Sequence, residues 1–396
     1  MSVFARTPLS RRDFISLSAL GVASCAVPRL GRAKREEDRM LYIGTYTDDR
    51  RSKGIYLVRL SPATGAMSIA GVAAETANPS FVALSPDGGT AFAVNEIGEV
   101  NGQPGGTVTA FSRERVANGL TQLGTAPTKG TAPCYVSTDL SGRYLFVANY
   151  SSGNVAMFPI LAGGELGAMA AFVQHHGHGP DAERQEGPHA HCVIPDPSNR
   201  FVLVADLGID RIMVYRFDAQ AGQLNTSTAG QGLLAPGSGP RHLAFHPSGR
   251  VLYVTNELSS TVTAFRYDPE TGSLTELQTV PAVSEPTAVR NAPADIHLHP
   301  SGRFLYMSNR GHNSIAVFAI DPATAKLSPV QLASTGGDWP RNFALDPSGE
   351  MLIVANQRSD SLRSFRVDPA TGELTSTGMR LTLPAPVCVR FIPAAS

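Results

Sequence analysis

The chain has 396 residues, 42% apolar, 7% aromatic and 17% charged, with only four cysteines. Basic and acidic side chains balance at 33 each, and setting aside residues 1–33 removes five basic and one acidic, leaving 28 against 32. A mildly acidic body excludes the basic surface that nucleic-acid binding needs, and so few cysteines exclude a disulfide-built scaffold.

The first elements in chain order are those of an export signal. Ser10, Arg11, Arg12, Asp13, Phe14 and Ile15 form a twin-arginine pattern, followed by an apolar run from Ile15 to Val27 that is too short to span a bilayer. Two cleavage points stay open. One is near Ala33. The other lies before Cys25, where Val22, Ala23, Ser24 and Cys25 resemble a lipoprotein box and would make Cys25 a lipid anchor, the single expected link to a membrane. Residues 1–33 are therefore set apart from the fold, and the mature protein is expected in the periplasm or otherwise outside the cytoplasm. The other cysteines, Cys134, Cys192 and Cys388, lie far apart and read as small buried strand residues.

Residues 34–396 read as one domain, because the text repeats. Pro240 and Asn256 are sixteen residues apart, as are Pro79 and Asn95, Pro133 and Asn149, Pro293 and Asn309, and Pro340 and Asn356. In the third unit Pro188 precedes Asp206 by eighteen, which reads as an insertion around Gly187, Pro188, His189, Ala190 and His191. Each unit continues with alternating strand text such as Thr261–Tyr267, a turn such as Asp268–Gly272, and a last short strand. Four short strands roughly every fifty residues is the pattern of a propeller blade. Six complete units begin at Pro79, Pro133, Pro188, Pro240, Pro293 and Pro340. The C-terminal stretch from Pro386 to Phe391 matches only a first strand, and the N-terminal stretches from Leu41 and Gly54 match a second and a third. Joined, they make a seventh blade, so the expected fold is an all-β, seven-bladed β-propeller of four-stranded antiparallel blades, closed by the C-terminal strand joining the N-terminal strands. No helical periodicity competes.

In such a ring the residues just after each repeat proline and just after each repeat Asn or Asp converge at one channel mouth. These are His189, His191, Arg241, His242, Glu257, Asp295, His297, Arg310, Arg341 and Asn342, with Ser80, Glu96, Cys134, Tyr150 and Val387 in the other blades. The ionisable groups therefore appear gathered on one side. Arg241 and Glu257 read either as an ion pair locking two strands or as part of a site. The neighbouring Arg310 and Arg341 exceed what Glu257 alone neutralises, which points to an anionic ligand held by bidentate hydrogen bonds. His246 and His299 precede Pro-Ser-Gly turns and read as turn residues. The loop His175, His176, Gly177 and His178 reads as a solvated glycine-rich loop rather than a metal site, so neither metal nor cofactor is expected.

At Gly239 to His242, Val254 to Leu258, Asp295 to His297 and Ser308 to Gly311 the chain resembles the lactonase family of propellers, which holds propeller-type 6-phosphogluconolactonases and carboxy-muconate cyclases. The resemblance covers residues 40–393. It implies a site of one histidine, two arginines and a glutamate, falling here on His189 or His191, Arg241, Arg310 and Glu257, and the positions of His242, Asp295, His297, Arg341 and Asn342 at the same mouth make them the expected substrate-binding neighbours. The implied activity is hydrolysis of an anionic or sugar lactone to its acid by a monomer, with Glu257 or the histidine drawing a proton from water and the arginines stabilising the oxyanion. No Gly-x-Ser-x-Gly elbow is present, so no acyl-enzyme is expected. A cycloisomerase acting on a muconate-like diacid and a non-catalytic docking propeller of the cell envelope are the alternatives.

Overall fold

A computed structural model describes residues 37–114, 116–284 and 290–393, without the side chains of residues 226–230. The twin arginines, both candidate cleavage points and Cys25 lie outside the described residues.

Seven four-stranded antiparallel sheets form the blades of a propeller. Blade four is representative, with strands Pro240–Phe245, Val251–Asn256, Thr261–Tyr267 and Leu274–Pro281 running outward from the axis. In the seventh blade Pro386–Phe391 is innermost and pairs with Arg39–Thr45, placing Leu41 opposite Phe391 and Ile43 opposite Val389. Gly54–Leu60 and Met67–Glu75 complete that sheet, so the expected closure is the observed one.

The sequence pattern follows position in the blade. A second strand such as Met351–Asn356 is buried along its whole length because neighbouring blades cover both its faces, and its text is correspondingly continuous and apolar. The outermost strand Leu274–Pro281 has exposed residues at intervals along it. Cys134, Cys192 and Cys388 are free and buried, as their strand contexts suggest. Among the described residues the only regular helix is the single 3₁₀ turn Leu207–Ile209.

Blade three corrects the sequence reading. Ala190, not Pro188, pairs with Asp206, so the sixteen-residue interval holds there too and no extra residues enter the strand. His191 is thereby the counterpart of Cys134, Arg241 and Arg341, each one residue beyond the start of its pairing.

At that point all five pairings slip, by one residue more on the inner strand than on its partner. Such a bulge breaks the usual alternation and re-aims the side chains beside it. In blades four and five the slip spans two residues, and the amides it frees are taken by hydroxyls: His242 N–H donates to Thr255 Oγ1 at 3.0 Å and Asp295 N–H to Ser308 Oγ at 3.0 Å. Consecutive residues of those strands can then both serve the channel. His246 and His299 are turn residues, each Nδ1 beside the serine two residues on. Each also reaches the next blade, His246 Nε2 to Gly302 O at 3.0 Å and His299 Nε2 to Gly349 O at 3.2 Å. Gly302 has φ +71°, and a Cβ there would stand 2.8 Å from His246 Nε2, so only glycine fits.

Candidate active site

One mouth of the channel opens into a cavity of about 180 Å³ lined by Tyr46, Glu96, Cys134, Tyr150, Arg184, His191, Glu257, Arg310 and Arg341. Tyr46, Glu96, Tyr150 and Glu257 directly follow the end of a second strand or its equivalent, Arg310 closes one, and Cys134, His191 and Arg341 sit at the bulges. All seven blades or their connections contribute. The ionisable His, Arg and Glu side chains among the lining residues come from blades three to six and the link into blade three, with Glu96 alone from blade one, so the charge forms a cluster on one side of the mouth.

Glu257 is its centre. Its Oε1 accepts from Arg184 Nη2 at 2.7 Å and its Oε2 from Arg310 Nη2 at 2.5 Å. Arg241 Nε lies 3.1 Å from Oε2 but off the hydrogen-bond direction, a charge contact rather than a formed bond. Burial raises the pKa of this carboxyl, yet Arg310, Arg241 and Arg184 outweigh it and hold the group well below its ordinary 4.5. Arg310 is fixed from behind by Nε donating to Ala292 O at 3.1 Å. Across the cavity Tyr46 donates its hydroxyl to Glu96 Oε2 at 2.9 Å, and Arg341 lies 3.6 Å from the same oxygen with its guanidinium over the Tyr46 ring. Four arginines thus face two glutamates.

His191 forms part of the wall, its Nδ1 buried without a partner. Burial, then Arg241, His242 and Arg341, push its pKa well below 6.5, so the ring is neutral at pH 7. His189 does not line the cavity. Its ring stacks on Tyr150 at 4.6 Å, Nδ1 lies 3.0 Å from Tyr150 O and Nε2 lies 3.2 Å from Glu186. Of the two candidate histidines, the geometry brings only His191 to Glu257.

Arg241 lies just beneath the wall, almost fully buried, with Nη1 donating to Ala294 O at 2.6 Å. Burial, Arg310 and Arg341 lower its pKa to about 9, which leaves it cationic at neutral pH. Under it, Asp295 accepts from His242 Nδ1 at 2.7 Å, His297 Nε2 at 2.9 Å and Asn342 Nδ2 at 2.6 Å. Burial raises the Asp295 carboxyl, but His297 and His242 bring it below the usual range. Burial and Arg241 hold His242 near 4, against the pull of Asp295. His242, Asp295 and His297 line a separate cavity of about 340 Å³ with Phe81, Tyr135 and Arg390, towards the other end of the inner strands. The structure therefore separates these three from the Glu257 cavity, although sequence reasoning grouped them at one mouth, and the bulges are what turn them into the lower channel. Arg341 stays in the wall of the upper cavity, while Asn342 spans from Asp295 to Val389 N–H, which its Oδ1 accepts at 2.7 Å.

Tyr46 and Arg184 were not anticipated. Arg184 comes from the connection between the strands Ala171–Gln174 and Ala190–Pro195, a segment with no counterpart in other blades and no strand of its own. A structureless link of that length inside a strict array was the signal. Of the histidine loop it contains, His175 is buried with Nδ1 against Asp206 Oδ2 at 2.5 Å while His176 and His178 are exposed, and no set of three metal-ligating side chains occurs among the described residues.

Residues 40–391 match the family described as lactonase, seven-bladed β-propeller. A 6-phosphogluconolactonase of Bacillus subtilis strain 168 is 37% identical over 351 residues, covering 89% of this chain and 97% of its own length. A 6-phosphogluconolactonase of Formosa agariphila is 33% identical over 307 residues, 77% of this chain and 85% of its own. The structure of the periplasmic gluconolactonase of Pseudomonas aeruginosa superposes with a TM-score of 0.84 at 36% identity, covering 90% of this chain and all of that one. The closed ring, its ringed glutamate and these likenesses agree: the chain belongs to the lactonase family of seven-bladed β-propellers.

Proposed function

We propose that this protein is a carboxylic ester hydrolase of the 6-phosphogluconolactonase type, opening an aldonolactone to its acid in the cavity around Glu257. The observation that carries the reading is a fully ion-paired carboxylate sharing a small cationic cavity with a neutral histidine. Glu257 is engaged by three guanidinium groups, Arg184 at Oε1 and Arg310 and Arg241 at Oε2. Its part is to hold Arg310 in aim. His191, neutral at pH 7, accepts the proton of a water whose oxygen bonds to the lactone carbonyl carbon. The resulting oxyanion lies against the Arg310 and Arg341 guanidiniums, fixed cations in a water-poor pocket. Collapse breaks the bond from carbonyl carbon to ring oxygen, which takes the proton back from His191, and the new carboxylic acid ionises to water. Assay of the purified mature protein on gluconolactone, its 6-phosphate and a carboxy-muconate tests this. Lactone opening is expected, whereas conversion of the muconate alone, or of none of the three, would refute it.

Export belongs to the same proposal, supported by the twin arginines at 11 and 12 and the apolar run behind them. Replacing both by lysine should retain the protein in the cytoplasmic fraction. Unchanged fractionation would remove the export reading.

A further inference from the structure

We propose that Arg184 is the specificity-determining residue of this site, the side chain that binds an anionic substituent carried by the lactone away from its reacting carbonyl. The inference rests on the lactonase reading above and adds to it the residue that recognises charge on the substrate.

The four guanidiniums of the cavity region are not equivalent. Arg241 and Arg310 project from the inner and second strands of their blades, donate to backbone carbonyls behind them, and have side chains only 2% and 6% exposed. Arg341 is anchored at a bulge, packed over Tyr46 and paired with Glu96. Arg184 alone arrives on a connecting segment, and its side chain is 32% exposed. Of its three nitrogens only Nη2 is used, shared between Glu257 at 2.7 Å and the Tyr150 hydroxyl at 3.1 Å. Nε and Nη1 have no hydrogen bond to another described residue, so N–H donors on two sides of the guanidinium remain for a ligand.

Charge bookkeeping leads to the same residue. Glu257 keeps the two buried cations Arg241 and Arg310 even when Arg184 turns away, so it is never left unpaired. Arg184 can therefore exchange one anion for another at small cost, which its fellows cannot. The segment that delivers it is firmly placed. The buried Gln185 amide donates to Leu207 O at 2.8 Å and Asp210 Oδ1 at 2.8 Å, and Asp181 accepts from the Arg184 backbone N–H at 3.1 Å. A rigid base under a half-open guanidinium is the arrangement of a selective clamp rather than of a solvated surface arginine. Because Arg184 is the most exposed of the four, the substituent it meets points outward while the carbonyl lies deeper, beside His191 and Arg310.

The chemistry recognised is a phosphate or a carboxylate on the sugar. Wild-type protein and the variants Arg184→Gln and Arg184→Lys are assayed on gluconolactone, its 6-phosphate and a lactone bearing a carboxylate at the same carbon. The quantity read is the ratio of kcat/KM for each anionic lactone to that for the neutral one, in which the fraction of folded enzyme cancels. Arg184→Gln should lower the ratio on the order of tenfold or more, the effect of one charge-assisted hydrogen bond, and Arg184→Lys should recover part of it. A fall for the phosphate alone, or for the carboxylate alone, identifies which anion is read. If both ratios stay within about twofold of wild type in Arg184→Gln, the proposal is overturned while the lactonase reading stands. If wild type opens none of the lactones, both fall together.

Discussion

Glu257→Gln is the sharpest perturbation available, because it keeps the shape of the side chain and deletes the one charge on which three arginines converge. Two of the cations left behind are buried, and breaking a buried pair from one side costs about 3–5 kcal/mol. The lower figure applies here, about 3 kcal/mol, since Arg184 is partly open to water and can turn out. For a domain of this size the unfolding entropy is about 0.7 kcal/mol per kelvin, so Tm at pH 7 should fall by roughly 4 °C. The sign of the pH dependence follows from the lowered pKa. Stability from an ionised Glu257 is fully present above its ordinary 4.5 and disappears as pH falls towards the folded value, so the gap between wild type and variant should narrow below that pH. Turnover should drop on the order of a hundredfold, because Arg310 loses its fixed partner. Paired thermal or urea melts at pH 7 and pH 3.5, with initial rates on gluconolactone, supply the readout. A variant that melts with wild type at pH 7, or a gap that stays constant into acid, would refute the electrostatic account of the site.

His191→Gln should reduce kcat on the order of a hundredfold or more with little change in Tm. In wild type, protonation of His191 should set an acid limb of the kcat profile well below pH 6.5, with activity rising as pH rises through it, and a limb at or above 6.5 would contradict the neutral, buried ring. Thr255→Val leaves the His242 amide without its acceptor and should cost about 1–3 kcal/mol, read as a lower urea midpoint with an unchanged m-value, whereas full stability would mean that the bulge does not depend on that hydroxyl.

The architecture was legible because a propeller writes itself once per blade, and each closing half-blade matched a different part of the repeat. The third blade misled because its marker was a proline. The position starts an inner strand, where a missing N–H is tolerated but not required, so Ala190 occupies it and Pro188 happens to stand two residues upstream. Counting back from Asp206 would have found the register. Glu257 and Arg310 were legible as departures at a repeated position. The division of the channel into two cavities was not, because every residue just after a repeat proline was taken to reach one mouth, and that placed Asp295 and His297 beside Glu257. Arg184 escaped for a different reason: a segment outside the array has no counterpart against which to look unusual.

Grips that reach the outer turn of the following blade recur around the ring. Tyr42 donates its hydroxyl to Asn118 O, Tyr253 to Ala325 O and Tyr306 to Gly372 O, each reaching the outer turn of the following blade. Arg200 reaches Glu270, and Arg366 reaches Pro62 O across the seam. An open array of repeats frays from its terminal units and can melt piecemeal. A hoop in which every stave clasps the next has no last stave, so loss of any one blade releases its neighbours, and melting should be a single cooperative event that begins wherever the hoop is first cut.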